Sequence, residues 1–291
     1  MNLYRLINNV LHDYMGVKLI RSKKKRRVTI DLRMVPSNLP LQDVLAFQSE
    51  NNVKYLIKMP IGILKSSILY HVWVKVLRLY ENEDKQSAMQ NTSSFLYLQN
   101  YFESFQPNSV AEYIGVSNDQ GANNNFLDSP ALYTVLPWSK RTPAQQFNYT
   151  FELMRKEFKE HNGGEYKKDD GWKAFGPSNL NVITLEYKRL IKAYESLKKN
   201  GYIESYGLPH AQIFKKENKY LITPRGAWHR TAAMIALGFD EISLYINSTD
   251  SIIDRKDVAS WPQVKSGLYN KELALELFDK KFESIKDTNL V

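Results

Sequence analysis

The chain has 291 residues with 43% hydrophobic and 12% aromatic content, enough for a packed core and too much for a chain disordered throughout. A net charge of +9 directs attention to anionic partners, and the lack of cysteine excludes disulfides, thiolate metal sites and a thiol nucleophile. No segment approaches the ~18 uninterrupted apolar residues of a membrane span. The best stretch, Met59 to Leu79, is broken by Lys65, His71, Lys75 and Arg78. The N-terminus lacks the apolar run of a secretory signal, so a soluble, cytoplasmic protein is expected.

Residues 1–130 read as a mixed α+β N-terminal domain to which no role is assigned. A helix is expected over Leu3 to Tyr14. Arg21-Ser-Lys-Lys-Lys-Arg-Arg27 then lies between Val17–Ile20 and the alternating Val28–Leu32, as at the tip of a hairpin. Its reading is a solvated turn first and a phosphate- or membrane-facing finger second. A helix near Leu41 to Ser49 precedes a strand at Val53 to Lys58. Ser66 to Tyr80 fits either state, because Tyr70, Val72, Val74 and Val76 alternate while the length suits a helix. A helix over Ser93 to Phe105 stops before Pro107. Ser109 to Ser117 has the look of half a helix-turn-helix without a recognition helix after it.

The polar run Asn118 to Asn125 marks the boundary with a second domain at 131–291. There a helix is expected from Pro143 to Glu160, then a loop from His161 to Gly171 and a turn at Phe175-Gly-Pro177. Leu185, Leu190, Tyr194 and Leu197 form a helical stripe closed by Gly201. Ala211–Phe214 and Tyr220–Ile222 read as paired strands. A helix over His229 to Leu237 and a strand at Ile242 to Ile246 complete a βαβ-like unit. The chain closes on an amphipathic helix from Asn270 to Ile285.

The chemistry concentrates where the Tyr220 strand runs into Arg225-Gly226-Ala227-Trp228-His229-Arg230-Thr231. A small-residue turn followed by a helix start offers backbone N–H groups to an anion. Arg230 is the leading phosphate ligand, since a guanidinium grips phosphate oxygens in a bidentate fork. The alternative is an ion pair with Asp240 or Glu241. His229 is positioned to donate to phosphate or to act as acid or base. Gly226 shapes the turn. Trp138, Trp172, Trp228 and Trp261 read as packing residues first and as a sugar or base platform second. No His-x-x-x-His, Walker loop or Gly-x-Ser-x-Gly elbow occurs, and no metal ligand is assigned.

On the segment Gly226 to Arg230, with Ser196–Gly201, the hairpin, Thr231-Ala-Ala and Leu237-Gly, the chain resembles the ParB/sulfiredoxin superfamily over about 65 residues. Phe175-Gly-Pro177, Glu186 to Leu190, Gly201-Tyr202 and Trp261-Pro-x-Val-x-x-Gly267 are similar to ParB-like proteins associated with bacterial surface-glycan gene clusters. The resemblance implies an α+β fold with a C-terminal ParB/sulfiredoxin-like nucleotide-binding domain. It places the phosphates of a nucleoside triphosphate, ATP or CTP with Mg²⁺, on residues 225–231. It also places an acid, Glu186, where an acceptor hydroxyl would be deprotonated, although Glu186 and Arg189 have the spacing of an ordinary ion pair. Two departures stand out: Ala227 replaces a glycine, and Trp228 occupies the reactive-cysteine position of sulfiredoxins, which excludes sulfinic acid reduction.

The expected function is a nucleotide-binding phosphotransferase acting on a small hydroxyl or sugar acceptor, in surface-polysaccharide synthesis as the resemblance implies. The alternative is a nucleotide-regulated binding protein engaging DNA or a protein partner, with nucleic acid the less favoured partner. A third reading is a module that keeps the fold without the chemistry.

Overall fold

The structure, a computed structural model, describes residues 18–21, 28–33, 53–61, 68–117, 125–247 and 252–283. In chain order the elements are β1 (Lys18–Arg21), β2 (Val28–Asp31), β3 (Val53–Pro60), α1 (Ile68–Glu81), α2 (Ser93–Ser104), α3 (Val110–Ile114), α4 (Pro143–Glu160) and α5 (Leu180–Asn200). Then come β4 (His210–Lys216), β5 (Lys219–Arg225), α6 (Trp228–Ala236), β6 (Glu241–Asn247), β7 (Ile252–Asp254), α7 (Pro262–Lys265) and α8 (Lys271–Lys280). The expected helices at Leu3–Tyr14 and Leu41–Ser49, most of the polar run and the tip of the basic hairpin lie outside the described residues.

The chain is α+β and falls into two compact units, each assembled from two separate segments. The sheet unit is Met1–Ser66 with Leu197–Ile253, and the helical unit is Ser67–Ser196 with Asp254–Val291. This partition cuts the chain differently from consecutive domains at 1–130 and 131–291.

In the sheet unit the strand order is β1-β2-β3-β6-β4-β5, with β7 also paired to β4. β1 and β2 form the antiparallel hairpin read from the sequence, with Leu19 opposite Ile30. β2 runs parallel to β3, and β3 pairs antiparallel with β6 from Lys54↔Asn247 to Pro60↔Glu241. Period-two burial explains the fit of β6: Ile242, Leu244 and Ile246 are buried, while Ser243 and Tyr245 are only half-buried. β4 pairs antiparallel with β5 and parallel with β6. β5 and β6 therefore run antiparallel with β4 between them. The βαβ-like unit expected here is a β5–α6–β6 crossover past β4 that joins antiparallel strands.

Of the ambiguous Ser66–Tyr80 stretch, the described part, from Ile68 on, is helix. His71, Lys75 and Arg78 are exposed at spacings of four and three, one polar stripe on a helix otherwise buried at Leu69, Tyr70, Val72, Trp73, Val76 and Leu77. α4 starts as predicted because Thr142 at its N-cap and Gln145 at its third position form a capping box around Pro143. The Phe175-Gly-Pro turn requires its glycine: a Cβ on Gly176 would lie 1.7 Å from the Phe102 carbonyl oxygen. Short α3, closed by left-handed Gly115, is the whole of the helix-turn-helix-like segment.

Candidate functional site

Most described helices begin with a side chain that accepts a hydrogen bond from the first turn. Phe95 N–H donates to Thr92 before α2, Glu112 N–H to Ser109 before α3, and Gln145 N–H to Thr142 before α4. Val182 N–H donates to Asn179 Oδ1 at 3.0 Å in α5, and Leu273 N–H to Asn270 Oδ1 at 2.7 Å in α8. α6 differs. Its N-cap is Ala227, with no side-chain cap and no acidic residue in the first turn. An alanine is among the poorest residues at this position, typically ~1 kcal/mol worse than Ser, Asn or Asp.

The backbone entering α6 is left-handed twice in succession, at Gly226 (φ 77°) and Ala227 (φ 51°). Glycine adopts this region freely, whereas an L-residue with a Cβ is held there against a preference of roughly 1–2 kcal/mol. Ala227 therefore holds the left-handed conformation that glycine favours. The first helical bond runs from Thr231 N–H to the Ala227 carbonyl at 2.9 Å. The N–H groups of Trp228, His229 and Arg230 thus stand ahead of the helical ladder, at the positive end of the helix dipole.

Arg230 is the cation at this end. Its Nη1 is buried and has no hydrogen-bond partner among the described residues. Glu241, one of its expected partners, pairs instead with Lys58, and Asp240 is exposed. The guanidinium lies against the turn at Gly207, where a Cβ would sit 4.0 Å from Nη2. It also faces Tyr202: burial pushes this phenol's pKa up, and Arg230 pulls against the rise. Glu204 in the same turn is engaged by Arg33, which forks onto Asp31 through Nε at 2.9 Å and Nη2 at 2.7 Å.

The remaining predicted residues fall into place around it. Arg225 and Gly226 are exposed at the end of β5, and Ala227 and His229 are half-buried. Trp228 is 39% exposed. Thr231 is 1% exposed, and its hydroxyl donates to the Ala227 carbonyl at 3.2 Å, so it ties the turn to the core. Tyr202 and Gly207 joined the site only in the structure. The sequence signal for them was Gly201-Tyr202, already read as part of the resemblance.

Glu186 lies in the helical unit, and its side chain is 1% exposed. Arg189 Nη1 donates to Glu186 Oε1 and to Glu157 Oε2, each at 2.8 Å, and Lys173 Nζ reaches both Glu157 oxygens at 2.7 and 2.8 Å. This is the ion pair that the Glu186/Arg189 spacing allows, extended into a buried network. Trp138 stands edge-on to Trp261 at 5.5 Å, and Trp261 stacks on Phe278 at 5.4 Å, so both are core residues. Trp172 packs against the Met154–Phe158–Tyr166 cluster. Trp228 alone of the four platform candidates is exposed.

Among the described residues no group of three or more His, Asp or Glu side chains is arranged to hold a metal ion. No described helix is long and apolar enough to cross a membrane. No family model matches the chain, nor does any curated protein or solved structure.

Proposed function

We propose that the first turn of α6 binds the phosphates of a nucleoside triphosphate, and that the protein transfers phosphate from it to a small hydroxyl compound. The observation that carries the reading is Arg230 Nη1, a buried guanidinium nitrogen without a hydrogen-bond partner among the described residues, at the start of an uncapped helix. A helix end without a capping side chain or a first-turn acid, but with an arginine, has the composition of a site whose negative charge arrives with a ligand. Two consecutive left-handed residues let successive N–H groups converge, as in a backbone nest. The resemblance to the ParB/sulfiredoxin superfamily at these residues supports the same ligand, and it suggests an acceptor from surface-polysaccharide synthesis.

Within this reading Arg230 and the N–H groups of Trp228 to Arg230 orient the phosphates, and Arg225 adds positive charge at the rim. His229 is the residue on this turn able to move a proton. Mg²⁺ would enter on the triphosphate, because the described residues offer no cage for it, and no step is assigned to it.

One observation favours the second reading, a nucleotide-regulated binding protein. Glu186, the acid expected to face the acceptor, is closed into a buried ion network. Thermal unfolding against ATP, ADP, CTP, GTP and UDP-sugars with Mg²⁺ tests the shared premise. Ligand at 100 times its dissociation constant adds about 2.7 kcal/mol, a shift of several degrees, and Arg230→Ala should abolish it. Turnover that rises with an added hydroxyl acceptor supports transfer. Binding without turnover, joined to duplex binding that weakens steeply with salt, supports the second reading. No shift with any nucleotide overturns both.

A further inference from the structure

The geometry points to Arg33 as a positioning residue of the α6 site: it occupies Glu204, the carboxylate on the Gly207 turn, and so keeps Arg230 open to an anionic ligand. The inference rests on the phosphate reading above. Its starting point is the set of acids that could neutralise Arg230 in place of a ligand. The described part of the sheet unit has five, Asp31, Glu204, Glu217, Asp240 and Glu241. Glu241 pairs with Lys58, and Asp31 is forked by Arg33. Glu217 lies at the tip of the β4–β5 hairpin, beyond the Lys216↔Lys219 pair, and Asp240 is exposed. Glu204 alone belongs to the turn against which the Arg230 guanidinium lies. Gly207 N–H donates to the Glu204 carbonyl at 2.9 Å, and a Cβ on Gly207 would sit 4.0 Å from Arg230 Nη2.

The Tyr202 phenol registers both charges. Burial raises its pKa, Arg230 opposes the rise and Glu204 adds to it, so guanidinium and carboxylate act on the same hydroxyl. The Glu204 side chain is 47% exposed, which leaves it room to turn. A buried guanidinium nitrogen with no hydrogen-bond partner among the described residues would draw it in. Arg33 Nη1 takes this carboxylate instead. The rest of the Arg33 side chain is fixed for that task. Nε and Nη2 fork onto Asp31, which is 8% exposed, and the Arg33 N–H donates to Asp31 Oδ1 at 3.1 Å. The preceding Leu32 N–H donates to the Leu56 carbonyl at 2.8 Å, so the backbone here continues the pairing of β2 with β3. A planar guanidinium held along one edge presents its remaining nitrogen in a set direction. Loss of its charge releases Glu204 towards Arg230, where the carboxylate competes with phosphate.

Calorimetric titration of the full chain with Mg-ATP tests this on wild type, Arg33→Gln, Glu204→Gln and the double variant, with Arg230→Ala as control. In Arg33→Gln the new amide can still donate to Asp31 but no longer holds Glu204 by charge. This variant should bind Mg-ATP about tenfold more weakly, and the double variant should return to within about threefold of wild type. Glu204→Gln alone should match wild type or exceed it by up to about threefold. A merely structural role for Arg33 would leave the loss in place after Glu204 is neutralised. Should Arg33→Gln unfold below the titration temperature, Arg33→Lys takes its place. One ammonium cannot fork onto Asp31 and hold Glu204 as well, so a loss of about threefold that Glu204→Gln restores is expected. Wild-type affinity in the Arg33 variant, or a loss that persists in the double variant, overturns the role of Arg33 and leaves the phosphate site standing. No binding by wild type, or binding that survives Arg230→Ala, overturns the phosphate reading together with it.

Discussion

Two arginines on helices of this protein meet opposite fates. Arg189 is forked between Glu157 and Glu186, and Lys173 completes a set of two acids and two bases, all largely withdrawn from solvent. Arg230 Nη1 is also withdrawn from solvent, yet no described acceptor meets it. The chemistry of the side chain is the same in both places, so the difference lies in whether the protein supplies the counter-charge. Where it does, the network holds helices α4 and α5 to the segment around Lys173. At the start of α6 no described acceptor meets Nη1, and that is the observation on which the phosphate proposal rests.

The comparison breaks most visibly at Arg189. Arg189→Ala takes the guanidinium from between two buried carboxylates and should cost about 3–5 kcal/mol in denaturant unfolding. Glu186→Gln should lower stability by a smaller amount while leaving Mg-ATP affinity unchanged, whereas an acid that acts in catalysis would lose turnover with its stability intact. Arg230→Ala should behave in the opposite way. Stability should stay within about 1 kcal/mol of wild type, because Nη1 has no hydrogen-bond partner among the described residues to lose, while nucleotide affinity falls tenfold or more with the loss of a charge-assisted bond.

Smaller effects sharpen the picture of the turn. Gly226→Ala meets no atom within 4 Å, so its cost is the left-handed backbone alone, about 1–2 kcal/mol. Ala227→Gly releases the same strain against a gain in unfolded-state freedom, and should stabilise by less than about 1 kcal/mol. The least effect expected is at His161, beside the Arg189 network. Partial burial and then Arg189 hold its pKa below the ordinary value of 6.5. The unfolded chain therefore takes up this proton first, and stability drains as pH falls through 6.5 towards the folded value. His161→Gln should flatten that part of the stability–pH curve slightly.

What the sequence made legible was local. α4 announced itself through Thr142, Pro143 and Gln145, the β1–β2 hairpin through alternation around a basic run, and the turn into α6 through small residues before His229-Arg230. What it hid was pairing at a distance. No neighbour of Val53 indicates that its strand lies against Glu241–Asn247, since each β-strand carries an alternation compatible with many partners. The antiparallel relation of β5 and β6 was concealed for the same reason. Glu186 showed its nearby partner Arg189 but not Glu157 or Lys173, which arrive from other segments. The four tryptophans were indistinguishable as letters, and burial separated them.

The most direct test follows the two arginine side chains at once. Nitrogen-detected NMR of guanidinium groups in deuterated protein, titrated with Mg-ATP and assigned with Arg189→Lys and Arg230→Lys, reports each separately. The Arg230 resonance should move, with the backbone amides of Trp228, His229 and Arg230, while the Arg189 resonance stays in place. An Arg230 signal that stays fixed as nucleotide saturates the protein would contradict the assignment of the α6 turn as the phosphate site.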